Sequence, residues 1–427
     1  MSTTVFALIV CSLALLPYAA SAASFPRRVA EFDFKHAAVA SFHQSFPGST
    51  GPALCATSFY PFGTDEIIAV PSIAGVFSGA HANVSKLVEA TWPNQADPVP
   101  KGTVKSAPDG ASLVLTAGGF FVSPSKSTGA VSLLEVTSLQ QSVKRQVISE
   151  PAKGFFYHEA RWLDVNGDGL QDVIAARANK PMFGGKSRTN LVWLEQPGAD
   201  ALGKPWVERQ LTNDIGPGVA FCMVNLDGDS KMPQIVAAQY FAKQELSIWW
   251  CDADLWSKCE NGTGVHAITI DDSEKAPYFN VQWVDLNSDG KKELLATTNE
   301  ANGKGSVLIY EVPEDFRTGQ WTKHRIATGY KPKQAFLPGR GAPGLARAFF
   351  PSSSDKIPAI LVSADDAGYV DLLRPIAGEK FAYSRTRVIN STNTVGAFDI
   401  ADINGDGFAD VAVPLFAENK VALFTFA

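Results

Sequence analysis

The chain has 427 residues, a net charge of −6, 19% charged residues and 45% hydrophobic residues. That length exceeds a minimal domain yet suits one large all-β unit, and the spread of 35 Gly and 26 Pro along the chain excludes a disordered tail in favour of a fold with many turns. An acidic balance without any basic run excludes nucleic acid as the expected partner.

The chain opens with MSTTVFALIVCSLALLPYAASAAS, whose apolar core from Val5 to Leu16 has the length of a secretory h-region and is too short to span a bilayer. Ala20-Ser21-Ala22 offers a small-x-small cleavage site, so residues 1–22 are expected to be a signal peptide and 23–427 a single secreted domain. No later stretch is apolar enough to predict a membrane span, and the ending VALFTFA is neither a retention nor an anchor signal.

Next comes PRRVAEFDF, an alternating strand pattern, followed by apolar runs in EIIAVPSIAG and ASLVLTAGG. The segment DVNGDGLQDVIAA (164–176) then places Asp, Asn and Asp on alternate residues before a Gly, and a buried-type apolar run follows immediately. Related segments are NLDGDSKMPQIVAA from Asn225, DLNSDGKKELLAT from Asp285 and DINGDGFADVAVP from Asp402. Their apolar runs start at Val173, Ile235, Leu294 and Val411, at spacings of 62, 59 and 117 residues, so the last gap is nearly two steps. AILVSAD from Ala359 fills it, after a loop, PSSSDKIP, that has lost the acidic pattern. With the two upstream runs this makes seven units, a repeat length characteristic of propellers and solenoids.

Within a unit, a short strand such as EARWL or NVQWV enters the loop, the apolar run forms a second strand, and NLVWLEQ or SVLIYEV forms a third. A fourth alternates in polarity: VKRQVIS, WVERQLT, VHAITID, WTKHRIA and YSRTRVI. Continuous apolar runs suit strands buried on both faces, and alternation suits an outer strand, so the pattern predicts an all-β, seven-bladed β-propeller. The last unit stops after its third strand, KVALFTF, and PRRVAEFDF is expected to supply the missing fourth strand and close the ring.

Beyond the signal segment, Cys251 and Cys259 flank the polar loop CDADLWSKC and predict a small disulfide, whereas Cys55 and Cys222 sit in apolar surroundings and predict buried thiols. Sequons at Asn83, Asn261 and Asn390 fit a secreted, glycosylated surface.

The three intact units, DVNGDGLQD, DLNSDGKKE and DINGDGFAD, each followed by a buried strand, resemble the FG-GAP/VCBS repeats found in the seven-bladed head of integrin α subunits. Gly341-Ala342-Pro343, within FLPGRGAPG, is similar to the family's Gly-Ala-Pro. The resemblance implies a propeller with calcium in its blade loops, usually extracellular and engaged in adhesion or ligand binding, with some members forming parts of enzymes such as fungal sugar lyases.

Calcium takes six to eight oxygen ligands, and alternate acidic and amide side chains on a tight loop can supply them with a carbonyl and a closing acid. The expected sets are Asp164, Asn166, Asp168, the Leu170 carbonyl and Asp172; Asp285, Asn287, Asp289, the Lys291 carbonyl and Glu293; and Asp402, Asn404, Asp406, the Phe408 carbonyl and Asp410. Strand-flanked loops of this length are not EF-hands. The copy at Asn225 starts with an amide, has Ser230 in place of Gly and ends near Gln234, so it is expected to bind weakly or not at all. Sites with a Kd of about 0.1 mM in about 1 mM calcium contribute about 1.4 kcal/mol each, which is a structural role.

These loops join first to second strands, so a ligand is expected on the opposite face, at the mouth of the channel. Candidate segments there are 153–160, 213–218, 274–280, 177–188 and 329–344, with Phe155, Phe156, Tyr157, Tyr278 and Phe279 as the aromatic groups most able to stack on sugar or grip a peptide. His158 and Glu159, adjacent on a strand, are expected to face opposite ways and not to act as an acid–base pair. The chain lacks HExxH, GxSxG and a phosphate loop before a helix. The expected function is therefore a secreted, calcium-binding propeller that recognises an extracellular protein or glycan, ahead of a carbohydrate lyase or hydrolase and of a matrix component.

Overall fold

Each apolar run becomes a strand sandwiched between two neighbouring sheets. The computed structural model, which describes residues 25–120, 126–150, 154–181, 185–213, 215–228, 232–334 and 339–427, contains seven four-stranded sheets. In chain order these are β1 (Arg27–Asp33); blade one, β2 (Ala37–His43), β3 (Ala53–Ser58), β4 (Asp65–Val70) and β5 (Ser85–Ala90); and blade two, β6 (Pro93–Pro98), β7 (Ser112–Gly118), β8 (Val131–Val136) and β9 (Lys144–Val147). Blade three has β10 (Phe156–Leu163), β11 (Asp172–Asn179), β12 (Arg188–Glu195) and β13 (Val207–Gln210), and blade four has β14 (Gly218–Val224), β15 (Gln234–Gln239), β16 (Leu246–Cys251) and β17 (Val265–Asp271). Blade five has β18 (Tyr278–Val284), β19 (Glu293–Thr298), β20 (Gly305–Glu311) and β21 (Thr322–Tyr330), and blade six has β22 (Ala346–Phe349), β23 (Ala359–Ser363), β24 (Tyr369–Pro375) and β25 (Tyr383–Asn390). Blade seven joins β26 (Asp399–Ala401), β27 (Asp410–Leu415) and β28 (Lys420–Thr425) to β1.

The closure follows the expected route: β1 runs antiparallel to β28, with Arg27 opposite Thr425 and Asp33 opposite Lys420. Phe32 and Phe34 then pack with Val421, Leu423 and the core of blade one, so the closing strand is held by burial as well as by its ladder. The upstream run EIIAV departs from expectation. It is β4, the third strand of blade one, and the second is β3, whose shorter sequence ALCATS carries less apolar bulk.

The two-sided burial of second strands is explicit in β11. Val173 and Ala175 pack toward blade two with Leu115 and Leu133, while Ile174 and Ala176 pack toward blade four with Phe221 and Trp249. Removing one such aliphatic side chain from water contributes about 2 kcal/mol, which is why these runs carry no polar alternation.

First strands of neighbouring blades touch around a central channel. Their side-chain acceptors lock blade to blade: Gln95 Oε1 accepts from Ala160 N (2.8 Å), Glu159 Oε2 from Phe221 N (2.8 Å), Gln282 Oε1 from Ala348 N (2.9 Å) and Asp399 Oδ2 from Phe42 N (2.8 Å). Arg161 neutralises Glu159, and Arg347 neutralises Asp399.

Cys251 and Cys259 form the expected disulfide, closing a loop of sequence separation 8, worth about 2.5 kcal/mol in chain entropy. Cys55 is buried as expected, but Cys222, on β14, is only half-buried. Asn83, Asn261 and Asn390 are all exposed, the first two on third-to-fourth-strand connections and the last at the end of a fourth strand. No helix among the described residues is long and apolar enough to cross a membrane. The proposed signal segment lies outside the described residues, as do 153, 182–184, 214, 229–231 and 335–338 within the candidate loops.

Candidate functional site at the channel mouth

In blades one to five the first strand carries a register shift near its start, at Ala38, Asn94, His158, Val219 and Phe279. A bulged residue leaves the strand's alternation and is re-aimed. His158 therefore packs on Phe120 (6.4 Å between ring centroids) and Phe279 (6.1 Å), while Glu159 serves the next blade's backbone. The two do not pair, as expected, although the cause is the bulge rather than simple alternation. Burial pushes the imidazole down to about 4, so it is neutral at physiological pH.

Around His158 runs an arc of rings. Phe59 stacks on Trp92 (4.5 Å, 11°), and Trp92 stacks on Phe120 (5.6 Å, 9°). Phe120 meets Phe241 edge-on (6.2 Å), Phe241 meets Tyr240 (4.8 Å), and Tyr240 meets Phe279 (5.9 Å). Phe59, Phe120, Tyr240, Phe241 and Phe279 are all part-exposed, forming an open aromatic platform. Beside it, in the connection after β3, Phe62 stands 95% exposed. Of the five aromatics expected from sequence, Phe155 and Phe279 reach this face. Phe156, Tyr157 and Tyr278 are buried, the tyrosine hydroxyls donating to Glu208 (2.9 Å) and Asp271 (2.9 Å) inside the blades.

One buried ion pair fixes the near end of the arc. Asp65 accepts from Tyr60 N (2.5 Å), Trp92 N (2.6 Å) and Lys126 Nζ (2.6 Å), and Lys126 also donates to Gly63 O (2.8 Å).

At the far end, Tyr240 OH donates to Asn299 Oδ1 (3.1 Å), and Asn299 Nδ2 donates to Pro343 O (3.0 Å) and Asp365 Oδ2 (3.3 Å). Asp366 is saturated by Arg340, by Thr394 Oγ1 (2.6 Å) and by Gly341 N (3.1 Å). The segment GRGAPG (339–344) wraps this pair closely: a Cβ on Gly341 would lie 1.8 Å from Asn299 Oδ1. Asp365 itself holds a left-handed φ of 49°, a conformation its short polar side chain tolerates. Burial and the neighbouring Asp366 carboxylate push its pKa well above the ordinary range, whereas Asp366 has the Arg340 guanidinium beside it.

The three polar loops lie on the opposite face and share one geometry. In each, the first Asp caps at least two loop N–H groups: Asp164 accepts from Gly167 and Gly169, Asp285 from Asn287, Ser288 and Gly290, and Asp402 from Gly405, Asp406 and Gly407. Asn166, Asn287 and Asn404 donate to Asp168, Asp289 and Asp406 at 3.0–3.1 Å. The latter three accept from the N–H of Leu170, Lys291 and Phe408. The closing acids Asp172, Glu293 and Asp410 are buried and accept from Val165, Leu286 and Ile403 N at 2.9–3.2 Å. Burial pushes Asp172 up to about 6 and Glu293 up to about 7. Asp410 Oδ1, with Thr425 nearby, is buried without a well-formed hydrogen bond. Among the described residues no three His, Cys, Asp or Glu groups converge on one point, because these side chains cap their own loops. The donor set is nonetheless all oxygen, and the buried acid at the base of each loop fits a hard cation.

The degenerate loop at Asn225 differs instructively. Gln234 takes the closing position and accepts from Leu226 N (2.8 Å) as the acids do elsewhere. Asp227 is gripped by both Arg317 nitrogens (2.9 and 2.5 Å), and the guanidinium packs over Phe316 (4.1 Å) and Trp250 (5.3 Å). A neutral amide replaces one acid, and a protein cation occupies the loop's carboxylate.

Sequence reasoning missed Phe59, Trp92, Phe120, Tyr240, Phe241 and the Asp365–Asp366 pair, which lie on short connections of four different blades. Their available signal was position within the repeat, directly before a first strand or after a second.

No family model matches the sequence, and no curated protein does. Solved structures similar to this chain include the Dos1 propeller, at 10% identity over 94% of this chain and 96% of that one, with a TM-score of 0.47. A mutant α-L-arabinofuranosidase from Fusarium graminearum in complex with an iminosugar inhibitor shows 10% identity over 94% and 97%, with a TM-score of 0.43. A glucose dehydrogenase shows 11% identity over 79% and 98%, with a TM-score of 0.40. The propeller assignment rests on the seven sheets themselves.

Proposed function

We propose that this chain is a secreted, glycosylated propeller of FG-GAP/VCBS type, stabilised by calcium in three blade loops, that binds an extracellular glycan at the mouth of its channel. The observation that carries the reading is the part-exposed arc from Phe59 to Phe279, because soluble proteins rarely leave contiguous rings open unless they meet a ligand. Aromatic faces stack on the C–H faces of sugars, and the few polar groups beside them, Asn299, Asp365 and Lys180, supply orientation. The exposed sequons at Asn83 and Asn261 lie on third-to-fourth-strand connections, on the face opposite this mouth, and Asn390 ends the outer strand β25. Calcium would be held by the three ligand sets named from the sequence, offsetting the buried acids Asp172, Glu293 and Asp410. Its role there is to stiffen hairpins on the face away from the ligand.

The test is a titration of the calcium-loaded protein with defined oligosaccharides, following the fluorescence of Trp92, with Trp92→Phe identifying its share. A saturable change, abolished in Phe120→Ala, is expected. A folded protein that shows no saturable change and is retained by no immobilised glycan refutes the reading. The carbohydrate-enzyme alternative has one observation in its favour, the carboxyl of Asp365 held toward its protonated form beside the platform. Release of new reducing ends from a bound glycan, lost in Asp365→Asn, would decide for it.

A further inference from the structure

The loop between β22 and β23 of blade six has lost the acidic pattern of its counterparts, and it is bonded instead to the loop of blade seven. Ser352 pairs antiparallel with Phe408: Ser353 N donates to Gly407 O (2.8 Å), and Ala409 N donates to Pro351 O (3.0 Å). Ser352 N in turn donates to Asp355 Oδ2 (2.8 Å), which fixes the blade-six side of the pair. Ala409 is buried, and a Cβ on Gly407 would lie 3.1 Å from Ser353 Oγ.

Those two backbone bonds orient a carbonyl. In a planar trans peptide the N–H and the C=O point in opposite directions. With Gly407 C=O and Ala409 N–H committed to blade six, the Phe408 N–H and C=O turn away from it, toward their own loop. The N–H meets Asp406 Oδ1 there (2.9 Å), and the carbonyl belongs to the ligand set expected for 402–410. The other two loops are supported differently. A Cβ on the equivalent Gly169 or Gly290 would meet nothing within 4 Å. Loop 164–172 is touched at its start, where Ser257 N donates to Val165 O (3.1 Å), and loop 285–293 meets blade six where Ser288 Oγ donates to Lys356 O (2.6 Å).

The closing acids differ in the same sense. Asp172 accepts at both oxygens, from Val165 N (3.1 Å) and Gln196 N (2.8 Å). Asp410 is 0% exposed and accepts from Ile403 N (3.2 Å) at Oδ2, while Oδ1 is the buried oxygen without a well-formed hydrogen bond. A carboxylate oxygen desolvated in this way gains most from a cation. Charge sets the remaining loop apart. Lys291 and Lys292 lie within 285–293, and the Lys380 ammonium of blade six favours the charged forms of Asp289 and Glu293. Loop 402–410 contains neither Lys nor Arg.

We infer that blade six positions the loop of blade seven, and that residues 402–410 form the tightest of the three calcium sites. The inference rests on the calcium reading above and ranks its sites. Affinity for calcium follows ligand charge and site rigidity, and 402–410 combines a braced carbonyl, an uncompensated acid oxygen and no opposing cation of its own. Ser353 is a positioning residue and not a ligand, acting through the peptide units on either side of Phe408.

The experiment titrates the full chain, stripped of metal by chelator, with calcium by calorimetry. Asp168→Ala, Asp289→Ala and Asp406→Ala each disable one loop, and Ser353→Pro removes the N–H that holds Gly407. Expected is a tight phase that survives Asp168→Ala and Asp289→Ala and disappears in Asp406→Ala. Ser353→Pro should weaken that phase by about tenfold to a hundredfold, the usual effect of losing an outer-shell partner. The other two phases should remain, which a general loss of folding would not allow, and Ser353→Ala, which keeps the N–H, should bind as wild type does. A tight phase lost in Asp168→Ala or Asp289→Ala, or three phases of equal affinity, overturns the ranking and leaves the calcium reading standing, even where Ser353→Pro fails to fold. A folded Ser353→Pro chain with its tight phase intact overturns the positioning role. A folded wild-type chain that binds no calcium defeats the calcium reading and the inference together.

Discussion

Replacing Lys126 with Met tests whether one buried ion pair holds the near end of the ligand platform. The Asp65 side chain is 0% exposed and that of Lys126 10%, so the substitution leaves a carboxylate in the interior with two backbone donors, Tyr60 N and Trp92 N, and no cation. Removing one partner of a buried pair costs about 3–5 kcal/mol, because the other charge stays desolvated and uncompensated. Unfolding entropy of about 2.1 cal/mol/K per residue over 427 residues gives roughly 0.9 kcal/mol/K, so Lys126→Met should melt about 3–6 °C lower. Differential scanning calorimetry measures this directly, and the emission of Trp92, whose N–H is held by Asp65, should shift in the folded state. The double variant Lys126→Met, Asp65→Leu removes the stranded charge and should recover much of the loss. A single variant melting within about 1 °C of wild type would refute the argument, as would a double variant no more stable than the single.

Arg317→Ala should cost about 1–2 kcal/mol, discounted because the guanidinium is 36% exposed, and the loss should be equal in calcium and in chelator since Arg317 already pairs with the carboxylate of the Asn225 loop. Asp168→Ala with Asp406→Ala should instead remove the melting difference between calcium and chelator; a wild-type chain that melts identically in both would sink the proposed structural ions. For pH, burial lowers His43 to about 4 from its ordinary 6.5. The unfolded chain therefore takes up that proton first, and stability present above about 6.5 is lost as pH falls toward 4, by up to about 3 kcal/mol. In calcium, His43→Gln should flatten that part of the stability–pH curve, and an unchanged slope would show that the imidazole is not held neutral.

How much of this was legible beforehand follows from the range of each interaction. The blade plan was readable because its cause is local and repeated. A second strand buried on both faces must be apolar throughout, as at 173–176, and an outer strand carries polar, solvent-facing residues, as at 322–325. The closing strand was readable because β28 would otherwise have left an open edge and Arg27–Asp33 had the pattern to cover it. Blade one misled because ALCATS is small and EIIAV looks like the better buried strand; only the pairing of Cys55 with Ser41 on one side and Ala69 on the other decides the order.

The polar loops were legible as self-capping turns, since their alternating acids and glycines act within a few residues of one another. What replaces them in blade four was not, because Asp227 and Arg317 are 90 residues apart. The mouth was hidden for the same reason. Phe59, Phe120, Phe241 and Phe279 come from four blades and carry no common motif, and the bulge that turns His158 from the ladder toward them is a register event that alternation cannot predict. The sequence by itself determined the repeat, the strand roles and the chemistry of each local turn, because those depend on short-range periodicity and burial. The tertiary structure alone decided which rings and charges meet around the channel, because ring closure brings together residues that the chain separates by whole blades.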